Sequence, residues 1–266
     1  MKQEIEYFER RFAELLRGTT LPMDAVMRYV GTASGKRLRP LLVYQSARLF
    51  GDINDCTRRT ALFVELLHTA TLIHDDVVDE ADVRRGQASV NARFGNKTAV
   101  LAGDYLLSKA MLLLAEPTDG PILKVMLETA MTMSEGEMVQ SEELGVRSEE
   151  LGVGSEERYL DIITRKTARL IQTCCVCGAM GVLEPGEREK LEKIGGLGLN
   201  LGLVFQMRDD ILDRDDPATT ALAEKLLPEY LNQTLQSLEA LAGVAKRPEV
   251  IEEFRELTIF CAERKQ

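Results

Sequence analysis

Apolar residues recur at intervals of three, four and seven along most of the chain, which is the spacing of one face of an α-helix. The pattern is strongest in residues 57–80, where Leu62, Leu66, Ile73 and Val77 form one apolar stripe. Strand-like alternation of polar and apolar residues is scarce. The chain is therefore predicted to be all-α.

The same periodicity predicts the positions of the other helices, which are 2–17, 41–50, 98–115, 121–140, 156–180, 191–213 and C-terminal helices within 218–261. Between Ser141 and Asp161 the chain carries three near-copies of one heptad, SEELGVR, SEELGVG and SEERYLD. Because glycines interrupt so short an array, an acidic connecting loop is favoured over a coiled coil. The sequence Ser-Glu-Glu predicts that the next helix is capped near Ser155.

The apolar stripe of residues 57–80 runs directly into an acidic segment, HDDVVDEADVRRG. At about 100° per residue, Asp75 and Asp79 lie one turn apart on one face, with His68 two turns earlier. Acidic pairs on helices often form only a solvated face. Here the preceding turns are strongly apolar, so the carboxylates are expected at the end of a buried rod, which suits Mg²⁺. Arg84 and Arg85 follow, and guanidinium groups match phosphate oxygens.

A second acidic helix end repeats this arrangement in the sequence FQMRDDILD. Asp209 and Asp213 are four residues apart, and Gln206 precedes them on the same face. A single motif of this kind arises easily by chance, whereas two of them, each after an apolar helix, are a strong indication. If the two helices face each other across a bundle, their carboxylates surround one cavity mouth and bind a diphosphate through bridging Mg²⁺.

Two basic clusters accompany the acidic motifs. Lys36, Arg37 and Arg39 precede or open a predicted helix, where backbone N–H groups and the helix dipole favour an anion. A basic loop that only adds solubility is the alternative. Lys166, Thr167 and Arg169 lie on a later helix, and by themselves they are a weak indication.

Composition narrows the classes of partner. The 266 residues carry a net charge of −10, which argues against nucleic acid as the main partner. No apolar run reaches the length of about 18 residues that a membrane span needs, and the N-terminus is not a secretory signal, so a cytoplasmic protein without a transmembrane segment is expected. Cys174, Cys175 and Cys177 are interpreted as small thiols inside an apolar helix.

Four glycines precede the second motif, Gly195, Gly196, Gly198 and Gly202. They follow no strand and lack dinucleotide-binding spacing, so close helix–helix approach is the better interpretation.

No protein nucleophile is evident in the sequence. The chain has no G-x-S-x-G motif, and His68 and His74 lack a serine or cysteine partner. The chemistry is therefore expected to be electrostatic, with metal ions and cationic side chains drawing off a diphosphate leaving group. The apolar helices below the carboxylates would shelter a carbocation from water.

Four motifs together resemble one family in content and order. GKRLRP (35–40), HDDVVDEADVRRG (74–86), RKTA (165–168) and FQMRDDILD (205–213) are similar to those of the trans-isoprenyl diphosphate synthases, and closest to long-chain bacterial members that make octaprenyl diphosphate. The resemblance implies a single isoprenoid synthase domain over residues 1–266, a helical bundle around a deep central cavity. It also implies a homodimer, with transient membrane contact for product release.

The implied reaction joins isopentenyl diphosphate head-to-tail to an allylic diphosphate, farnesyl or geranyl diphosphate. The implied ligands of Mg²⁺, with more than one ion per site, are Asp75, Asp79, Asp209 and Asp213, supported by Asp76 and Asp210. The implied contacts of the allylic diphosphate are Arg84, Lys166, Thr167 and Gln206. Those of isopentenyl diphosphate are Lys36, Arg39, His68 and Arg85.

Two further expectations concern the length of the product and the segment that follows Asp213. Ala70 and Thr71 are small where bulky aromatics in the family stop chain growth, so a long product, octaprenyl or nearby, is predicted. After Asp213 the family continues with a lysine-bearing loop and a G-K-x-T-L-P stretch, whereas this chain reads DRDDPATTALAEKLLPEYL. A true deletion would put lid closure in doubt; the absence of a flexible segment from this sequence is favoured.

Three alternatives remain at this point. A shorter-chain synthase making geranylgeranyl or farnesyl diphosphate would share every motif. A terpene cyclase would lack the basic residues Lys36, Arg39 and Arg85. A non-catalytic subunit of a heteromeric synthase would lose one or both aspartate motifs, and this chain keeps both.

Overall fold

The computed structural model describes residues 1–33, 35–145, 156–214 and 216–265. Its helices are α1 (Lys2–Leu15), α2 (Leu21–Val30), α3 (Leu38–Phe50), α4 (Asp55–Val78), α5 (Val90–Phe94), α6 (Asn96–Leu113), α7 (Gly120–Gly145), α8 (Glu156–Ile163), α9 (Arg169–Met180), α10 (Arg188–Asp213), α11 (Pro217–Ala242) and α12 (Glu249–Glu263). A 3₁₀ turn spans Pro117–Asp119 and a π-helical turn spans Thr164–Ala168. The described strands are β1 (Val83–Arg84) and β2 (Gln87–Ala88), which form an antiparallel hairpin. The predicted all-α class is confirmed.

Most of the predicted helices are present with small shifts in their ends. The sequence missed α2, a ten-residue helix that begins with Pro22 in its first turn. The predicted helix 98–115 is observed as α6, preceded by the short α5, and the predicted helix 156–180 is interrupted by the π-helical turn. Helix α7 extends into the heptad segment as far as Gly145, while residues 146–155, with the predicted cap at Ser155, lie outside the described residues.

The chain divides into two compact units. The first comprises residues 1–41 and 58–123, and the second comprises residues 42–57 and the residues from 124 onward. Each acidic motif belongs to a different unit, with Asp75 in the first and Asp209 in the second. The single domain expected over residues 1–266 stays a prediction.

In the first unit, the core is built around α4. Every residue from Ala61 to Leu67 is buried, which is the pattern of a helix covered on all sides. Helix α1 contributes Phe8 and Phe12, spaced one turn apart on its apolar face. Glu65 lies within the buried stretch of α4, and its charge is balanced by Arg37, whose guanidinium lies 2.8 Å from the carboxylate. The rod that leads to the first acidic motif is therefore buried, as predicted.

In the second unit, α8 and the π-helical turn pack with α10 and α11 around one apolar cluster. Its buried members are Tyr159, Ile163, Ala168, Leu203, Met207, Ala223 and Leu226. Helix α12 is tied to the start of this unit by an ion pair between Arg48 and Glu253. The free thiols Cys174, Cys175 and Cys177 are buried on α9, in agreement with the sequence interpretation.

Close helix contacts explain three of the four glycines on α10. A Cβ atom on Gly202 would lie 2.5 Å from Cα of Ala168, and one on Gly198 would lie 2.8 Å from Cα of Gln172. Gly195 would meet the side chain of Val176 at 3.3 Å. Gly196 has no such neighbour within 4 Å, so at this position the interpretation was wrong.

The helices within residues 1–33, 35–145, 156–214 and 216–265 differ in length and apolar content. There, no single helix has both the length and the apolar content needed to cross a bilayer, although the consecutive helices Asn96–Leu113 and Pro117–Gln140 meet that criterion when taken together.

We expect Gly202→Ala to destabilise the protein by about 1–3 kcal/mol, because the added methyl group forces the backbones of α10 and the π-helical turn apart. The matched control is Gly196→Ala on the same helix. With open space around the methyl group, it should be neutral or stabilising by up to about 1 kcal/mol through helix propensity. Chemical denaturation of the two variants measures both changes. Equal effects at the two positions would contradict the close-approach account.

Candidate active site

The first acidic motif occupies the C-terminal turn of α4. The amide of Asp79 donates to the carbonyl of Asp75 at 2.8 Å, so the helical turn extends to Asp79. The amide of Ala81 then donates to the carbonyl of Asp76 at 3.0 Å, and Glu80 has a φ of 52°. This is a Schellman termination with glutamate in the left-handed position usually taken by glycine. It places Asp75 and Asp79 at the negative end of the helix dipole, where a cation is stabilised.

The three aspartates of this motif have different surroundings. Asp76 is 2% exposed, and its carboxylate accepts a hydrogen bond of 2.7 Å from Nε of Arg84. A second nitrogen of the same guanidinium lies 2.6 Å from the same oxygen. Asp75 is half-buried and Asp79 is exposed. The structure thus uses Arg84, predicted to contact a diphosphate, to neutralise the buried Asp76, and leaves Asp75 and Asp79 nearer the surface.

A pocket in the first unit brings together several of the predicted residues. Its wall includes apolar side chains of α1, α2 and α4, and its lining includes Arg37, Glu65, His68, Asp76, Arg84 and Arg85. Burial lowers the pKa of His68 well below its usual value, and nearby arginines lower it further. His68 is therefore neutral at pH 7 and acts there as a hydrogen-bonding group. The positive charge of the pocket comes from the arginines alone.

The basic cluster GKRLRP enters α3, as predicted, but its members have different environments. Arg37 has a φ of 50° and binds the carboxylates of Glu9 and Glu65, each at 2.8 Å. It therefore joins α1 to α4. Lys36 is exposed, whereas Arg39 is half-buried and its charge acts on His68. Of the cluster, Lys36 and Arg39 remain the candidates for binding an anion.

Arg85 occupies the turn of the β1–β2 hairpin. Arg85 and Gly86 have φ values of 51° and 79°, as the two central residues of a type I′ turn require. The strands that flank this turn were not predicted from the sequence. Tyr29 fastens the hairpin to α2 by donating a hydrogen bond of 2.6 Å to the carbonyl of Ala88.

The second acidic motif also lies at the C-terminal turn of a long helix. Helix α10 ends at Asp213, and Arg214 follows in the left-handed conformation with a φ of 55°, its amide donating to the carbonyl of Asp210 at 3.2 Å. Asp209 is paired with the guanidinium of Arg264, which follows α12. That guanidinium also stacks over the ring of Phe205, 4.3 Å from its centroid. A cationic group therefore already neutralises one carboxylate of the motif.

Both carboxylate oxygens of Asp210 accept hydrogen bonds from side chains of the protein. Tyr159 donates to Oδ2 at 2.6 Å, and the side-chain amide of Gln206 donates to Oδ1 at 2.8 Å. The hydroxyl of Thr167 in turn donates to Gln206 at 2.7 Å. Burial raises the pKa of Asp210, although both hydrogen bonds oppose that rise. Gln206 and Thr167, predicted to contact a diphosphate, here belong to an internal network.

Lys166 is presented by the π-helical turn. Its ammonium group lies 3.0 Å from the carboxylate of Glu137 and donates to Gln140 at 2.8 Å, so it packs against α7. A π turn inserts an extra residue into the helix and changes which side chains face a neighbour, and such turns are frequent at functional sites. The sequence predicted the importance of Lys166 but not the interruption of its helix.

Left-handed backbone is concentrated at these motifs. Among the described residues, the non-glycine residues with positive φ are Arg37, Glu80, Arg85 and Arg214. Each lies within a predicted motif or directly after one. Such conformations cost of the order of 1 kcal/mol and persist where surrounding structure holds them, often at functional sites.

The carboxylates suit a hard divalent cation by their chemistry. They are oxygen donors at the negative poles of two helices, and Asp209 already attracts a guanidinium. Within the described residues, no three acidic, histidine or cysteine side chains form a closed ligand cluster. Mg²⁺ is usually held by one or two carboxylates and completed by substrate phosphates. The residues present therefore fit the predicted ion.

The structure thus assembles two groups of predicted residues. The first unit brings His68, Arg84 and Arg85 together with Asp76 in one pocket. The second unit brings Thr167 and Gln206 to the helix end that carries Asp210, whereas the contacts of Lys166 described above are with α7. The convergence of these two groups on one opening stays a prediction. Sequence reasoning missed Tyr159, Glu137 and Arg264, because each is far along the chain from the motif that it contacts.

Comparison with known proteins gives a consistent result. Residues 22–224 match the family model described as polyprenyl synthetase. The chain is 37% identical over 185 residues to the octaprenyl diphosphate synthase of Escherichia coli (strain K12), a match that covers 70% of this chain and 55% of that protein. It is 34% identical over 188 residues to the geranylgeranyl diphosphate synthase of Saccharolobus solfataricus (strain ATCC 35092 / DSM 1617 / JCM 11322 / P2), covering 68% of this chain and 54% of that one.

A solved structure gives the fold. The polyprenyl synthase of Caulobacter crescentus CB15, complexed with calcium and isoprenyl diphosphate, aligns with a TM-score of 0.83 and 27% identity over 100% of this chain and 96% of that one. The predicted isoprenoid synthase fold is therefore confirmed. By sequence, the chain spans about half the length of the octaprenyl and geranylgeranyl synthases that it matches.

We predict that His68 makes the protein less stable as the pH falls below about 6.5. The pKa of His68 is lowered in the folded state. Below about pH 6.5 the unfolded state therefore binds a proton that the folded state does not bind, and the unfolded state is favoured. Relative to wild type, His68→Gln should flatten the dependence of the unfolding free energy on pH between 5 and 6.5, by up to about 1.4 kcal/mol per pH unit. Urea denaturation across this range measures it, with His74→Gln to account for the second histidine. Parallel curves for wild type and His68→Gln would contradict the prediction.

Proposed function

Because this chain belongs to the polyprenyl synthetase family, we propose that it is a Mg²⁺-dependent prenyltransferase. It condenses isopentenyl diphosphate head-to-tail with an allylic diphosphate, farnesyl or geranyl diphosphate, to give a long polyprenyl diphosphate of octaprenyl length or nearby. The observation that carries the proposal is the placement of Asp75, Asp79, Asp209 and Asp213 on the last turns of two long helices, with arginine or lysine groups beside each turn.

In the proposed site, the outer aspartates hold the ions. Asp75 and Asp79 would bind Mg²⁺ at the end of α4, and Asp209 and Asp213 would bind Mg²⁺ at the end of α10. Bound Mg²⁺ would neutralise the charge that develops on the departing diphosphate of the allylic substrate. Asp76 and Asp210 orient the turns that carry these ligands, since each accepts a hydrogen bond from a donor within the protein.

The side chains around the acidic motifs bind the two diphosphates. Lys166 leaves its contact with Glu137 and reaches the allylic diphosphate together with Arg84, Thr167 and Gln206. Lys36, Arg39 and Arg85 bind isopentenyl diphosphate by charge, whereas His68 is neutral and donates a hydrogen bond to it. The double bond then attacks the allylic carbon, and the released diphosphate takes the proton that leaves.

Product length is the least constrained part of the proposal. The similar proteins include octaprenyl and geranylgeranyl diphosphate synthases. The long product is supported by the small side chains of Ala70 and Thr71 on the turns of α4 that lead to Asp75. A geranylgeranyl or farnesyl synthase is the alternative. A non-catalytic subunit is disfavoured because both acidic helix ends are intact.

We also propose that the protein acts as a homodimer. Helix α6 exposes Leu101 and Leu112 to solvent at 51% and 74%, three turns apart on one helix. Such a stripe is a surface that a second copy could cover. Sedimentation velocity at micromolar concentration tests this proposal, and a purely monomeric protein would oppose it.

The proposed activity is tested by incubating the protein with Mg²⁺, farnesyl diphosphate and labelled isopentenyl diphosphate, and then sizing the products. We expect Asp75→Asn and Asp209→Asn each to lower turnover by about 100-fold or more, because each removes a charged ligand at the site where charge develops. The melting temperature should change little for Asp75→Asn, whereas Asp209→Asn also removes the partner of the largely buried Arg264 and should lower it. Asp161→Asn, an exposed acid on α8, is the matched control. Absence of chain extension by the wild-type protein would refute the proposal.

Enlarging the side chain at position 70 or 71 should shorten the product, because both residues lie on the turns that lead to Asp75. Ala70→Tyr gives the larger change but adds volume at a buried position, so Thr71→Tyr, at a half-buried one, is the second variant. Met131→Tyr, at an exposed position on α7, controls for the added ring. Chromatography of the products measures their lengths. If both folded variants make the wild-type distribution, the cavity does not run along this part of α4.

A further inference from the structure

Tyr159 lies deep in the second unit but ends at the second acidic motif. It is 8% exposed, and its ring packs in the apolar cluster with Ile163, Leu203 and Met207. Its hydroxyl donates a 2.6 Å hydrogen bond to Oδ2 of Asp210. A phenol that is otherwise surrounded by apolar side chains is thus directed at a single carboxylate.

That hydrogen bond closes a network between two segments. From Asp210 the network continues through Gln206 to Thr167, with lengths of 2.8 Å and 2.7 Å. Tyr159 and Thr167 both belong to the segment formed by α8 and the π-helical turn, whereas Gln206 and Asp210 both belong to α10. We call these four residues the clamp. Because it is fastened at two points on each segment, it opposes both sliding and rotation of α10 against the turn.

Each half of the clamp is next to a residue of the proposed site. Thr167 directly follows Lys166, and Asp210 directly follows Asp209. A slip of one residue along either helix would turn these neighbours by about 100° and break the hydrogen bonds. The clamp therefore fixes the direction of Lys166 relative to the acidic end of α10.

We propose that Tyr159 is a positioning residue for the second acidic motif. It touches neither substrate nor cation in this scheme, but acts through Asp210 to hold Asp209 and Asp213 in the orientation that binds a divalent cation. The proposal rests on the proposed function, since it requires that this helix end bind a metal. The positioning residue Tyr159 lies outside the four motifs. In this scheme the carboxylate of Asp210 orients its neighbours and does not bind the cation.

The test is Tyr159→Phe, which removes one oxygen and keeps the ring. Binding of Mn²⁺ in the presence of inorganic diphosphate is followed by electron paramagnetic resonance, so the readout does not depend on turnover. We expect the dissociation constant for Mn²⁺ to rise about 10-fold, as is typical when a group that orients metal ligands is lost. Tyr230→Phe is the matched control, because Tyr230 packs against the same apolar cluster. The carboxylates whose charge raises the pKa of Tyr230 are Glu229 and Glu156, which lie outside the acidic motif.

A purely structural role for Tyr159 would give a different result. Loss of one buried hydrogen bond lowers stability, but a folded Tyr159→Phe protein would then bind Mn²⁺ with the wild-type constant, and the proposal would be overturned. Should Tyr159→Phe fail to fold, Asp210→Asn provides the second variant. It should weaken Mn²⁺ binding to a similar extent, and unchanged binding would overturn the proposal.

The two proposals fail in different ways. If the wild-type protein binds no Mn²⁺ with diphosphate, the proposed function fails and the positioning role fails with it. If wild type and Tyr230→Phe bind Mn²⁺ but Tyr159→Phe binds it equally well, only the positioning role fails. A 10-fold loss confined to Tyr159→Phe and Asp210→Asn would support both.

Discussion

The structure depends on an electrostatic conflict at the ends of two long helices. Helices α4 and α10 have 24 and 26 residues, and each ends in a turn that carries aspartates. The carbonyl end of a helix bears a partial negative charge, which repels carboxylates and attracts cations. Left-handed residues, Glu80 and Arg214, end both helices abruptly and keep the acidic turns at the surface of their units. Positive charge close by therefore stabilises such turns.

The protein supplies part of that positive charge itself, and it does so differently at the two ends. In the first unit Arg84 neutralises the buried Asp76, and in the second Arg264 neutralises Asp209. Asp210 is satisfied by neutral donors, Tyr159 and Gln206, so its charge is held without a cation. The second aspartate of each motif is therefore held by donors within the protein. In the proposed site the outer aspartates bind the exchangeable cations, and Asp209 exchanges its pairing with Arg264 for a metal ion.

Sequence reasoning predicted the features that local pattern determines. The apolar stripe of α4, the acidic turns and the basic cluster before α3 all depend on residues close together in the chain, and the structure has them near the predicted positions. Helix α2 was missed although Val26, Met27 and Val30 have helical spacing and Pro22 lies in its first turn. The π-helical turn at 164–168 was missed because nothing in RKTA distinguishes it from an ordinary helical turn.

The partners within the site could not be predicted, for a physical reason. Tyr159 lies 51 residues from Asp210, and Arg264 lies 55 residues from Asp209, so only the packing of helices brings them together. Charge alone also gave an incomplete account of the basic residues. Arg37 and Arg84 also neutralise buried carboxylates, Glu65 and Asp76, because an unpaired charge in such a place would be costly. The diphosphate contact of Arg84 stays a prediction.

The central claim is that both acidic helix ends bind one diphosphate through shared divalent cations. A crystal structure of the protein with Mg²⁺ and an allylic diphosphate tests it most directly. The account predicts ions about 2.0–2.1 Å from carboxylate oxygens of both Asp75 and Asp209, all contacting the same diphosphate. A structure in which these two residues face separate openings, or in which the diphosphate binds without ions at either helix end, would contradict it.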